Sequence, residues 1–125
     1  MNEPLQPLAD DYEENLDRFV VEAIESGVVW GLATSEGDWA LVDSERSTEV
    51  EVMPFWSDRR LAEALCNGEW AVYAPVAIDL EEFLDDWLPG LHGDVVLVGI
   101  NWDEELVGEE YEPLDLSEEL EADLP

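Results

Sequence analysis

Lysine is absent from this chain of 125 residues, and Arg18, Arg46, Arg59 and Arg60 are its only cations besides one histidine. Without lysine there is no Schiff-base chemistry and no P-loop. No glycine loop of the phosphate-cradling kind follows a strand-like run either. Cysteine occurs once, as Cys66, so an internal disulfide is impossible. One cysteine and one histidine also fall short of a structural zinc set. No apolar run approaches the length of a membrane span. The opening Met1-Asn2-Glu3-Pro4 has neither the basic nor the apolar stretch of a signal peptide. These absences predict a soluble, cytoplasmic chain with no metal and no cofactor.

What is present is acid. The chain holds 34 Asp and Glu, for a formal charge of -30. High charge with little apolar content would mean disorder, but here the hydrophobic fraction is 46% and six Trp sit within patterned segments. The pattern predicts a folded domain with an acidic exterior. A compact domain of this length has an equivalent radius of about 18 Å. Thirty charges spread over it carry a self-energy of roughly 100 kcal/mol in salt-free water. Screening lowers this to about 30 kcal/mol at physiological salt and about 15 kcal/mol at 1 M. Total stability is only about 5–15 kcal/mol, so ionic strength should help decide whether the chain folds. The acids run from Asp10-Asp11 to Glu121 instead of gathering in one tail. That distribution favours adaptation to a salty interior over mimicry of DNA, which would need them on one face. Bare nucleic acid and anionic membranes would be repelled, and cation binding should be weak and diffuse.

Residues 1–10 read as a loose lead-in and 11–125 as a single domain. Tyr12, Leu16, Phe19, Val20, Ala23 and Ile24 recur at helical spacing, with Gly27 as a stop. Val28–Leu32 and Trp39–Val42 flank Ser35-Glu36-Gly37-Asp38 and predict a hairpin. Thr48, Val50 and Val52 alternate with Glu49 and Glu51 as a strand that Pro54 should end. Ser57 is placed to cap a short helix that buries Leu61, Ala62, Leu65 and Cys66. Asp79 and Glu82 have capping-box spacing before a helix that Pro89-Gly90 should stop. Val95–Ile100 suits a central strand. The stretch from Tyr111 echoes that from Tyr73, each reading as strand, turn and helix. The fold class expected is α+β, a mostly antiparallel sheet with helices packed on one face.

The landmarks Val29-Trp30-Gly31-Leu32, Met53-Pro54-Phe55-Trp56-Ser57, Trp87-Leu88-Pro89-Gly90-Leu91 and Leu97-Val98-Gly99-Ile100-Asn101-Trp102 occur in this order. Together with Gly37–Leu41, Pro75–Ile78 and Phe83-Leu84 they make the chain resemble a bacterial family, domain-of-unknown-function family 2750, over roughly residues 12–103. The resemblance implies a shared fold and a bacterial source. It brings no activity and no catalytic residues.

A Cys66–His92 dyad would need a thiol of lowered pKa, which surrounding carboxylates oppose. Asp103-Glu104-Glu105 and Glu109-Glu110 are the densest oxygen clusters, without EF-hand spacing. Among 34 acids, carboxylate pairs arise by chance, so a glycosidase-type hydrolase stays only a third reading. Trp56 and Trp70 flank the short helix that carries Arg59-Arg60, the only adjacent cations. Aromatics beside arginine mark interface anchors. The plainer reading pairs both arginines with Asp58 and Glu63. The expectation is a non-enzymatic module that binds an unknown protein through Trp56, Arg59, Arg60 and Trp70. The alternative is an acidic mimic that occupies a basic DNA-binding partner.

Overall fold

Asp11 starts the first helix, α1 (Tyr12–Ser26), by accepting the Glu13 N–H on its side chain at 2.9 Å. Glu13 and Glu14 sit at its positive end. Gly27 closes it at φ 74, a left-handed turn that costs glycine nothing, and returns its N–H to Ala23. Phe19, Val20 and Ala23 form the buried stripe that the 3.6-residue spacing predicts. The computed structural model describes residues 8, 11–46, 49–103, 105 and 108–124.

Next comes β1 (Val28–Thr34), which pairs antiparallel with β4 (Tyr73–Asp79) along its whole length, from Val28↔Asp79 to Thr34↔Tyr73. The turn expected at 35–38 is present, since Thr34 N–H donates to Asp38 at 2.9 Å. Its return segment stays with β1 only through Trp39 and Ala40. The chain then leaves for β2 (Val42–Asp43), which pairs with β3 (Glu51–Phe55). The four-stranded sheet runs β2-β3-β5-β6, with β5 (Leu97–Ile100) parallel to β3 and antiparallel to β6 (Glu110–Tyr111). All four residues of β5 are buried, as a central strand requires. Reciprocal bonds of 2.8 Å between Trp30 and Trp56 join the two sheets.

Pro54 does not end its strand. Phe55 turns its carbonyl toward β5, where Asn101 N–H donates to it at 2.9 Å. Pro54 therefore turns its nitrogen the other way, past the end of β2, where no ladder bond is lost. The α+β class holds, with three strand pairings antiparallel and one parallel.

The short α2 (Arg59–Glu63) follows β3, and a single 3-10 turn (Gly68–Trp70) leads into β4. After β4 the helix runs past the expected stop, as α3 (Leu80–Glu82), a π-helical turn (Phe83–Trp87) and α4 (Leu88–Gly93). Proline has no N–H and its ring would strike the carbonyl four residues back. The wider turn accommodates Pro89, and Leu88 N–H reaches Phe83. Asp79 precedes this helix without capping it through its side chain. The last helix, α5 (Pro113–Asp123), opens on Pro113, whereas Pro75 lies inside β4, so the echo between the two stretches is not a structural repeat.

The sheet's alternation divides the core. Phe55, Val98 and Ile100 meet Phe19, Phe83, Leu88, Leu116 and Leu120 from α1, the π turn, α4 and α5. Val52 and Leu97 meet Leu32, Trp56, Trp102 and the α2 residues Leu61 and Ala62. No helix among the described residues is long and apolar enough to cross a membrane. The accessible surface is 7466 Å², or one net charge per about 250 Å². A B-DNA cylinder carries one per roughly 110 Å².

Candidate partner-binding face

Trp56 is fully buried, and its indole N–H donates to the Trp102 carbonyl at 2.9 Å. It is a core residue and offers no surface to a partner, contrary to the expectation from its place beside Arg59-Arg60. The reason is the strand itself. Because the chain continues through Pro54, Trp56 becomes the joint between the sheets instead of the head of a loop.

Arg59 and Arg60 are exposed on α2. Arg59 pairs with Glu63 at 2.8 Å, one turn on, and Arg60 with Asp58 at 2.8 Å. These are the partners that the plainer sequence reading supplies. Asp58, not Ser57, caps the helix, accepting Arg60 N–H at 2.8 Å. The Arg60 side chain is the largest influence holding the Asp58 carboxyl below its ordinary pKa. Arg60 N–H and the charge of Arg18 add to this, against a partial desolvation. Trp70 is half-buried, with its ring 5.0 Å from that of Tyr73.

Sequence reasoning missed the breadth of this face. Residues 59–78 contain two arginines and two glutamates and are formally neutral, so the other 105 residues carry the whole -30. A running charge window would have shown it. Within the stretch Val72 is 67% exposed and Val76 37%. The backbone adds a further constraint. Trp30 spends its N–H and C=O on Trp56, and the Leu32 carbonyl accepts from Ala40. The pairs Trp30↔Ala77 and Leu32↔Pro75 thus exchange no bonds, and Ala77 and Pro75 turn their polar groups outward. The Pro75 ring stands where an added strand would need a donor, so it blunts the free edge of β4.

Ser57 takes a different role. It is 5% exposed, and its hydroxyl donates to Glu22 at 2.6 Å while its N–H donates to Asn101 Oδ1 at 3.0 Å. Glu22 is held in turn by Arg18 at 3.3 Å. Asn101 Nδ2 reaches the Asn15 carbonyl at 3.4 Å. This chain of bonds ties α1 to the carboxyl ends of the parallel pair β3 and β5, bringing Trp56-Ser57 and Asn101-Trp102 side by side. Asn101 adopts φ 48, which asparagine tolerates better than most residues.

The remaining chemistry candidates do not assemble. Cys66 is half-buried, and burial first, then Glu63, pushes its thiol pKa up, the direction opposed to nucleophilic use. His92 is exposed near the end of α4 and lines a cavity to which neither Cys66 nor Ser57 contributes. Glu110 is buried, its oxygens taken by the Ser44 hydroxyl at 2.5 Å and Glu45 N–H at 2.9 Å. That carboxylate latches the loop after β2 to β6. Glu104 lies outside the described residues, and Asp103 accepts the Glu105 N–H at 2.9 Å. Among the described residues no three His, Cys, Asp or Glu are arranged to hold a metal ion.

The comparison with curated proteins gives no match. A family model matches residues 16–120, extending beyond the landmark motifs through most of α5. The two buried tryptophan motifs that meet at Trp56 and Trp102 fall inside that span, and the chain belongs to the family described as protein of unknown function DUF2750.

Proposed function

We propose that this protein is a non-enzymatic protein-binding module adapted to high salt, which meets its partner through the face built from α2, the 3-10 turn and β4. One observation carries the reading: in a chain of net charge -30, residues 59–78 are neutral and expose Val72 and Val76. Like-charged macromolecules approach most easily where local charge is lowest. Exposed apolar side chains there supply the contact. Trp70 and Tyr73 contribute half-buried aromatic area, and Arg59 and Arg60 stand on the rim with their charges already matched. Pro75 disfavours recruitment by strand addition, so the contact is made by side chains.

The test is capture from host lysate at about 2 M KCl, where repulsion is screened, comparing the parent with Val72→Asp/Val76→Asp. Both side chains are exposed, so the fold should survive. Loss of the captured species in the double variant supports the face; equal capture refutes it. The alternative, an acidic mimic of nucleic acid, gives a different pattern. Its basic partner would be released by salt, would be indifferent to Val72 and Val76, and would give up bound DNA on addition of this protein.

A further inference from the structure

Three cavities among the described residues differ in the charge of their walls. One of about 190 Å³ is lined by Asp43, Glu45, Glu105 and Glu110, and one of about 350 Å³ has Asp86 and Asp94 beside Met53 and Trp87. The third, about 290 Å³, holds Arg46 and His92, two of the five basic side chains in the chain. It lies at the amino-terminal end of the parallel strands, where Val50 leads into β3 and Val96-Leu97 into β5. Val50, Val95, Val96 and Pro113 make an apolar wall, and Glu112 is the one acid in the lining.

The backbone is strained at this place. Val95 has φ 58, and Glu49, next to Val50, has φ 65. A β-branched residue in the left-handed region is a true outlier, and such strain clusters at ligand clamps. Arg46 is positioned by donating Nη1 to the Glu110 carbonyl, with the Glu109 carboxylate 3.8 Å away.

We propose that this cavity binds a small organic monocarboxylate, its anionic head on Arg46 and His92 and its apolar body against the valines and Pro113. Ligand pockets begin at roughly 300 Å³, so the occupant is of benzoate or octanoate size. Glu112 excludes a second negative charge, which rules against phosphate and dicarboxylates. This reading is independent of the partner face, which lies on residues 59–78.

His92 is the only histidine, so its imidazole Hε1 gives a single, unambiguous NMR signal that reports the cavity directly. The full chain in 1 M KCl is titrated with benzoate and, as the neutral match, benzamide. The expected result is a saturable shift with benzoate and about tenfold weaker binding of benzamide, the difference a charge-assisted contact supplies. Arg46→Gln should cost about tenfold. Because that change also frees the Glu110 carbonyl, Glu112→Gln on an exposed position is the second arm; removing the like charge should tighten benzoate a few-fold. A shift that stays linear to about 50 mM, equal affinity for benzamide, or an unchanged Kd in Glu112→Gln overturns the proposal.

Discussion

Raising salt should stabilise this fold far more than it does an ordinary domain. Treated as a sphere of about 18 Å, the native state has a repulsive energy of about 30 kcal/mol at 0.15 M and about 15 kcal/mol at 1 M. The unfolded chain is larger, with a gyration radius of about 36 Å. The same treatment gives it about 6 and about 2 kcal/mol. The difference between states therefore shrinks by roughly 11 kcal/mol across that range. This is an upper bound, because a residually compact unfolded chain repels itself more. If a third survives, about 4 kcal/mol, the midpoint rises by roughly 15 °C for a domain of this size. Circular dichroism melts from 0.05 to 3 M KCl measure it. Chloride is the right anion, because sulfate also strengthens apolar burial. Replacing Glu118, Glu119 and Glu121 on the outer face of α5 with glutamine should flatten the slope. A midpoint that moves by less than about 3 °C in KCl would refute the reasoning, and with it the proposed adaptation to salt.

Three further outcomes are expected. Asn101→Ala removes the acceptor of the buried Ser57 N–H and places alanine at φ 48, so urea denaturation should show a loss of about 2–4 kcal/mol; a loss below 1 kcal/mol would mean the network tying α1 to the strand ends contributes little. Pro75→Val restores a donor on the free edge of β4, and sedimentation at 1 M KCl should reveal more self-association than in the parent; a variant that sediments like the parent would show that another feature guards the edge. Burial first, then nearby acids led by Glu109, pushes the Tyr111 pKa up from 10.0 to about 12. The folded state then holds a proton that the unfolded state releases. Its contribution is complete below pH 10 and is lost as pH rises toward 12. Absorbance at 295 nm should show a tyrosine ionising near pH 12, and Tyr111→Phe should remove both that step and its part of the alkaline loss.

Charge, composition and local periodicity were legible before any tertiary contact. The stripe of α1, its Gly27 stop and the burial of Leu97–Ile100 follow from spacing of 3.6 or from a short apolar run, both properties of neighbouring residues. The same holds for the matching of Arg59 and Arg60 with Glu63 and Asp58, which lie within four residues. What tertiary structure alone decided depends on distant pairing. Whether Trp56 is an anchor or a joint turns on Trp30 and Trp102, 26 and 46 positions away. Pro54 could remain in a strand only because β2 is two residues long. Ser57 caps nothing because Asn101 and Glu22, from β5's end and from α1, claim it first. Arg46 and His92 meet at one cavity through the return of α4 to the start of β5. Spacing along a chain reports which face of an element is apolar, but which elements share that face is set by strand register and crossover, and no local pattern encodes those.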